Sequence, residues 1–278
     1  LSAAAEPLGS DRYIKEIKMN TDNLSIALIQ ADLAWENPEE NRQKLEAQCR
    51  EVSPETDLII LPEMFPTGFS MQAEKLAETA EGESFQWMKK LAKTKDAAVT
   101  GSIISSENGN YYNRLYFVFP NGDHETYDKK HLFTFADEHK HYSAGKERLI
   151  VEYKGWKICP LVCYDLRFPV WARNTEDFDL LIFIANWPAK RSDAWNTLLK
   201  ARAIENMCYV AGINRVGVDG NDLPYNGHSA VYDVLGKQIS TTEKESVFTE
   251  TVELKKEDLE QARNQFSFLK DRDGFELT

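Results

Sequence analysis

Six short apolar runs, at residues 24–30, 58–61, 97–104, 156–163, 179–185 and 208–214, constrain this chain more than any other feature. Each is four to eight residues long, enough for a strand and far too short to cross a bilayer. Leu58-Ile-Ile-Leu61 has no polar alternation, the pattern of a strand covered on both faces. Between the runs lie polar stretches with helical spacing. Residues 38–51 are charged and start at Pro38, and residues 84–95 set Phe85, Met88 and Leu91 three apart. Residues 193–206 carry Leu198, Leu199, Ala203 and Ile204, with Ser192 as the expected N-cap. One more helix is expected over 170–175. Asn121-Gly122 marks a hairpin, Leu235-Gly236 a second hairpin-like pair, and a last strand is expected over 247–252. Strands alternating with helices predict a layered α/β fold with a βαβα beginning.

Chemistry-bearing residues fall at the ends of these runs. Cys163 closes Trp156-Lys-Ile-Cys-Pro-Leu-Val-Cys163 and is followed by Tyr164-Asp-Leu-Arg167-Phe-Pro169, a change from strand to turn. A side chain on a tight turn after a strand is presented on rigid backbone, where a nucleophile belongs. A thiol has a pKa of roughly 8.5, so a modest base or cation activates it. Pro160 removes a ladder donor, so either its N–H position lacks a partner or the strand starts later. Asp57-Leu-Ile-Ile-Leu-Pro-Glu63 delivers a carboxylate after its strand, the candidate general base. Glu125-Thr-Tyr-Asp-Lys129-Lys-His-Leu-Phe133 delivers Lys129, the candidate cation.

Together, Leu61-Pro-Glu63-Met, Tyr127-Asp-Lys129-Lys-His-Leu-Phe133 and Cys163-Tyr-Asp-Leu-Arg-Phe-Pro169 resemble the Glu-Lys-Cys signature of the nitrilase superfamily of carbon–nitrogen hydrolases, across residues 24–254. Three spaced motifs in order weigh more than any one. Taken singly, Cys163 is more often structural, Glu63 a solvated loop carboxylate and Lys129 a surface strand end. The resemblance implies an αββα sandwich of four layers, counted per dimer, and a homodimer or higher homo-oligomer. It implies that Glu63 takes the thiol proton, Cys163 attacks an amide carbonyl, and Lys129 with the Tyr164 N–H holds the oxyanion. Ammonia leaves, a thioester remains, and Glu63 activates the water that hydrolyses it. That cycle calls for no cofactor. A second acid after the lysine is also implied; Glu138 is the choice and Asp137 its competitor.

Within the superfamily, Met64-Phe65-Pro-Thr-Gly-Phe69-Ser-Met71, Ala136-Asp-Glu138-His139 and Asn186-Trp187-Pro188 are most similar to the omega-amidase branch. That branch hydrolyses the terminal amide of α-keto acids such as 2-oxoglutaramate. The implied pocket is walled by Phe65, Phe69 and Trp187, although ordinary core packing is the bland alternative for these aromatics. A substrate carboxylate needs a cation, and Arg167, Lys190 and Arg191 are at hand, with arginine suited to bidentate contact. Arg167 has a competing use, pairing with Asp165. The alternatives are a nitrilase proper, an N-carbamoyl amide hydrolase, or a catalytically idle interaction subunit.

Cys49, Cys159 and Cys208 lie in helix-like or apolar stretches, where a thiol is usually a small buried hydrophobe. Along a strand, Cys159 and Cys163 are separated by roughly 13 Å, beyond the reach of a disulfide. His131, His139 and His141 lack compact ligand spacing, so no metal is expected and loop packing is. A net charge of −12 argues against nucleic acid or an anionic membrane as a partner, and the resemblance implies a small-molecule amide instead. Four cysteines without a secretory segment fit a reducing cytoplasm. Residues 1–18 read as an expression-derived or disordered segment before Met19. Residues 19–278 then form a single domain whose tail offers Phe266, Phe268, Leu269 and Phe275 to a second subunit.

Overall fold

The computed structural model describes residues 23–241 and 245–276, so the expected segment before Met19 lies outside the described residues. The first half of the chain runs β1 (Leu24–Gln30), α1 (Pro38–Arg50), β2 (Leu58–Ile60), the single turn α2 (Ala73–Leu76), α3 (Glu83–Lys95), β3 (Ala98–Glu107), β4 (Asn110–Val118) and β5 (His124–Asp128). The single turn α4 (Glu138–His141), β6 (Val151–Tyr153), β7 (Trp156–Val162), β8 (Leu180–Ala185), α5 (Ser192–Asn206) and β9 (Tyr209–Asn214) follow. The ribbon β10 (Val216–Val218) and β11 (Pro224–Asn226), then β12 (Ala230–Tyr232), β13 (Phe248–Leu254) and α6 (Lys256–Phe266) complete it.

Two sheets result, one in the order β13-β1-β2-β3-β4-β5 and one in the order β12-β9-β8-β7-β6. Each has a parallel centre, β1-β2-β3 and β7-β8-β9, flanked by antiparallel strands. The two-residue period of a strand explains how they stack. Leu24, Ile26, Leu28, Leu58 and Ile60 enter the core shared with the second sheet. Their neighbours Ala27, Ile29, Ile59 and Leu61 point the other way, under Leu45 and Cys49 of α1 and Phe85, Met88 and Leu91 of α3. Trp195, Leu199 and Ala203 of α5 and Leu259 and Ala262 of α6 cover the second sheet.

The order is therefore helix, sheet, sheet, helix, the expected αββα sandwich. All four layers belong to one chain, which corrects their counting per dimer. Each central strand is apolar on both faces, so each sheet needs a helical cover as well as its companion sheet, and a single chain supplies both.

The hairpin at Asn121-Gly122 joins β4 to β5 as expected. Past Leu235-Gly236 the second arm is only a bridge from Tyr232 to Gln238. Pro160 lies in β7 opposite Ile182, beyond the end of the three-residue β6, so one flank carries no ladder there. The helix expected over 170–175 does not form. Asn174 instead clasps Phe178, its Oδ1 accepting from Phe178 N at 2.9 Å and its Nδ2 donating to Phe178 O at 2.9 Å. The helical turn after β7 is a 3₁₀ turn over Cys163–Arg167. Ser192 begins α5 rather than capping it; Arg191 holds the N-cap position, and the Ser192 hydroxyl donates to Ala189 O and Asn226 Oδ1. In the tail, Leu269 packs on this chain's own core, while Phe266, Phe268 and Phe275 are exposed. No helix among the described residues is long and apolar enough to cross a membrane.

Candidate active site

Lys129, Cys163 and Asn186, each just past a strand, line one cavity of about 540 Å³, and Glu63, past a fourth, is buried behind them. Cys163 and Asn186 directly follow the parallel strands β7 and β8, the usual place for a site in an α/β sheet, and Glu63 follows β2 of the other sheet. Lys129 follows β5, its backbone N–H extending the ladder to Asn113 O at 3.0 Å. Cys163 takes the left-handed conformation, φ +46°, which costs an L-residue about 1–2 kcal/mol and turns the chain sharply out of the strand. The 3₁₀ turn over Cys163–Arg167 begins there.

The cavity floor is a closed polar cluster. Lys129 Nζ donates to Glu63 Oε1 at 2.9 Å and to both Glu138 oxygens at 3.0 Å. Asn113 Nδ2 donates to Glu63 Oε1 at 2.8 Å, and Asn186 N to Glu63 Oε2 at 2.8 Å. Asn186 Nδ2 donates to Glu63 O at 2.6 Å, so this residue grips Glu63 by both side chain and backbone. Glu138 also accepts from Phe133 N. Glu63 and Glu138 are fully buried and Lys129 nearly so.

Burial opposes the charge on Lys129, but Glu138 and then Glu63 outweigh it and hold the ammonium above the usual lysine range. Burial raises the Glu138 carboxyl, with Lys129 opposing and Glu63 adding to the rise. Burial and the charge of Glu63 together push the Cys163 thiol up, against the pull of Lys129. One ammonium facing two carboxylates leaves the cluster a net acceptor of protons, so the resting sulfur is a neutral thiol within hydrogen-bonding reach of Glu63.

Glu63, Lys129, Cys163 and Glu138 thus meet as the sequence pattern requires. Asp137, the competitor of Glu138, pairs with Lys140 at the surface at 3.0 Å. Tyr164 borders the cavity, its ring 4.9 Å from that of Phe133. Phe69 and Trp187 also border it; Phe69 lies 5.1 Å from Lys129 Nζ, and the Trp187 indole donates to Arg191 O at 2.8 Å. Phe65 does not line the cavity, correcting its expected place in the wall. The left-handed turn at Met64, φ +42°, sends Phe65 to the outer face of the sheet, where its ring packs 5.5 Å from Trp87.

Arg167 borders the cavity but does not pair with Asp165. That carboxylate is taken by Tyr127 Oη at 2.7 Å, Val162 N at 3.0 Å and His131 N at 3.0 Å, and Arg167 instead lies 5.0 Å from the Trp187 ring. His131 stacks on Phe168 at 3.6 Å, a packing role. No group of three metal-ligating side chains occurs among the described residues. Cys49, Cys159 and Cys208 are free and buried; burial pushes Cys49 and Cys159 up to about 12 and Cys208 up as well.

Residues 25–264 match the carbon-nitrogen hydrolase family. The chain is 44% identical to the omega-amidase YafV of Escherichia coli strain K12 over 254 residues, which is 91% of this chain and 98% of that protein. It is 37% identical to the 2-oxoglutaramate amidase of Bacillus subtilis strain 168 over 221 residues, 78% of this chain and 85% of that one. Its fold superposes with a TM-score of 0.90 on a CN-hydrolase superfamily protein of Xanthomonas campestris that carries an arsenic adduct in its active site. That pair shares 45% identity and covers 92% of this chain and 99% of the other. The chain belongs to the carbon–nitrogen hydrolase family.

Proposed function

We propose that this enzyme is an omega-amidase that hydrolyses the terminal amide of small α-keto acid amides, converting 2-oxoglutaramate to 2-oxoglutarate and ammonia. The observation that carries the reading is a thiol and an ammonium at two strand ends on one cavity whose rim is cationic, with a carboxylate past a third strand buried against that ammonium at 2.9 Å. Similarity to YafV and to the Bacillus subtilis amidase supports the substrate class.

Cys163 starts as a thiol. As its sulfur closes on the amide carbonyl carbon, Glu63 takes the proton and negative charge passes to the carbonyl oxygen. Glu63 takes one Lys129 proton and the two Glu138 oxygens, both at 3.0 Å, share a second, which leaves the third for the oxyanion. The Tyr164 N–H stands in the first turn after Cys163, where helical N–H groups lack partners within the turn, and supplies the second donor. One such donor contributes on the order of 10²–10³-fold. Glu63 then returns the proton to nitrogen, the C–N bond breaks, and ammonia leaves a thioester on Cys163. The same carboxylate removes a proton from water, whose oxygen attacks the thioester. Collapse frees the carboxylic acid product as the sulfur recovers its proton. Acid–base help of this kind contributes about 10²–10⁴-fold.

Ammonia release from 2-oxoglutaramate, measured under reducing conditions with wild type and Cys163→Ala, tests both parts. Wild type is expected to turn over and Cys163→Ala to lose at least about 10⁴-fold. A folded wild type that releases no ammonia sinks the substrate assignment, and release that survives in Cys163→Ala sinks the thioester route.

A further inference from the structure

Four cations border the cavity: Lys129, Arg167, Lys190 and Arg191. Lys129 already has its counter-charges in Glu63 and Glu138. Both cavity acids are committed elsewhere. Glu36 accepts from the Ser70 hydroxyl at 2.6 Å and faces Lys75, while Asp219 accepts from Asn221 N, Leu223 N and Tyr225 Oη at 2.8 to 3.0 Å. Arg167, Lys190 and Arg191 therefore make no ion pair among the described residues, in a chain with 45 acidic residues.

These three cations are not equivalent. Arg167 and Lys190 are exposed, where water screens a lone charge. Arg191 is partly buried, with its guanidinium 5.1 Å from the centre of the Phe133 ring, and its backbone is pinned by Trp187 Nε1 to its O and by its own N to Pro188 O at 2.9 Å. Burial and the nearby charge of Arg167 both disfavour the charged guanidinium, against the opposing pull of Cys163 and Tyr225. Arg191 also stands at the N-cap of the 15-residue helix α5, whose positive dipole end adds to the local field. A partly desolvated cation without a counter-charge, held by an aromatic face beside the thiol, is a site shaped for an anion.

We propose that Arg191 is the specificity anchor of the cavity and binds the carboxylate next to the keto group of the substrate, leaving the far amide to Cys163. This inference rests on the α-keto acid reading above. The ring of Phe133 fixes the guanidinium plane so that its N–H edge meets both carboxylate oxygens. Arg167, lying on Trp187 at the mouth, draws the anion in without contacting it.

The test compares kcat/KM for 2-oxoglutaramate with that for pentanamide, a neutral amide of the same chain length, in wild type, Arg191→Met, Arg191→Lys and Arg167→Met. Arg191→Met is expected to reduce the preference for the charged amide by about 10–100-fold, chiefly through KM. Arg191→Lys recovers part of that loss, and Arg167→Met shifts the preference less than about 3-fold. Equal losses on both amides, or a larger shift at Arg167→Met, overturn the assignment. Calorimetric binding of 2-oxoglutarate separates this inference from the reading beneath it. If Arg191→Met binds 2-oxoglutarate as wild type does, the anchor is wrong whatever the turnover. If wild type binds it through Arg191 yet releases no ammonia from 2-oxoglutaramate, the omega-amidase reading fails and the anchor stands.

Discussion

The floor and the rim of the cavity handle charge in opposite ways. On the floor, Glu63, Lys129 and Glu138 are buried and bonded to one another and to Asn113 and Asn186 at 2.8 to 3.5 Å. At the rim, Arg167 and Arg191 rest on the faces of Trp187 and Phe133 with no acid against them among the described residues. Ions taken out of water are tolerated when they are paired and preorganised, and such a group then acts on every substrate in the same way. An unpaired cation at the rim gains its counter-charge only when a ligand arrives. The floor thus fixes the reaction, and the rim selects which acyl group undergoes it.

Breaking the floor should hurt stability and turnover together. Lys129→Met leaves two buried carboxylates facing one another, and is expected to cost about 3–5 kcal/mol of stability and on the order of 10²–10³-fold in kcat. Thermal unfolding and ammonia release measure the two effects; an unchanged Tm would show that the floor is no tighter than the rim. Arg191→Met should by contrast leave Tm close to wild type, because no acid among the described residues pairs with that charge. Asn113→Leu is milder than Lys129→Met. It deletes the 2.8 Å donor to Glu63 while retaining Lys129, and a fall of about 10-fold in kcat is expected. If kcat holds, Asn186 and Lys129 suffice to orient the carboxylate.

The sequence exposed the floor better than its supports. Glu63, Lys129 and Cys163 each stand at or near the end of a strand-like run, a visible signal, whereas Glu138 follows only from the family resemblance. Asn113 went unnoticed, although it shares one face of β4 with the core residues Leu115 and Phe117, and a carboxamide in line with two buried apolar side chains is a cue. Asn186 was seen only as part of a turn motif, since nothing local says that it reaches Glu63 across 123 residues. Phe65 and Phe69 looked interchangeable because the left-handed turn at Met64, which separates their directions, has no glycine to announce it. Apolar runs fixed the strands, but the pairing of two sheets into one αββα stack depends on long-range register and came from family resemblance.

The thiols repeat the contrast on a smaller scale. Cys163 borders the cavity, whereas Cys49, Cys159 and Cys208 are enclosed in apolar cores. Iodoacetamide should therefore modify one thiol of the native protein and abolish turnover in proportion, while the other three react only after unfolding. The enclosed thiols also carry a pH signature. Burial raises Cys49 and Cys159 from 9.0 to about 12, so below pH 9 both folded and unfolded chains keep these protons and the stabilisation is complete. Between pH 9 and about 12 the unfolded chain releases them and the folded chain does not, so each thiol removes about 1.4 kcal/mol of stability per pH unit. Urea unfolding at pH 8 and pH 10 should show this decline, and Cys159→Ala should show a shallower one than wild type despite its lower starting stability. Equal declines in the two proteins would mean that Cys159 is not held protonated by the core, and that enclosure does not separate it from Cys163.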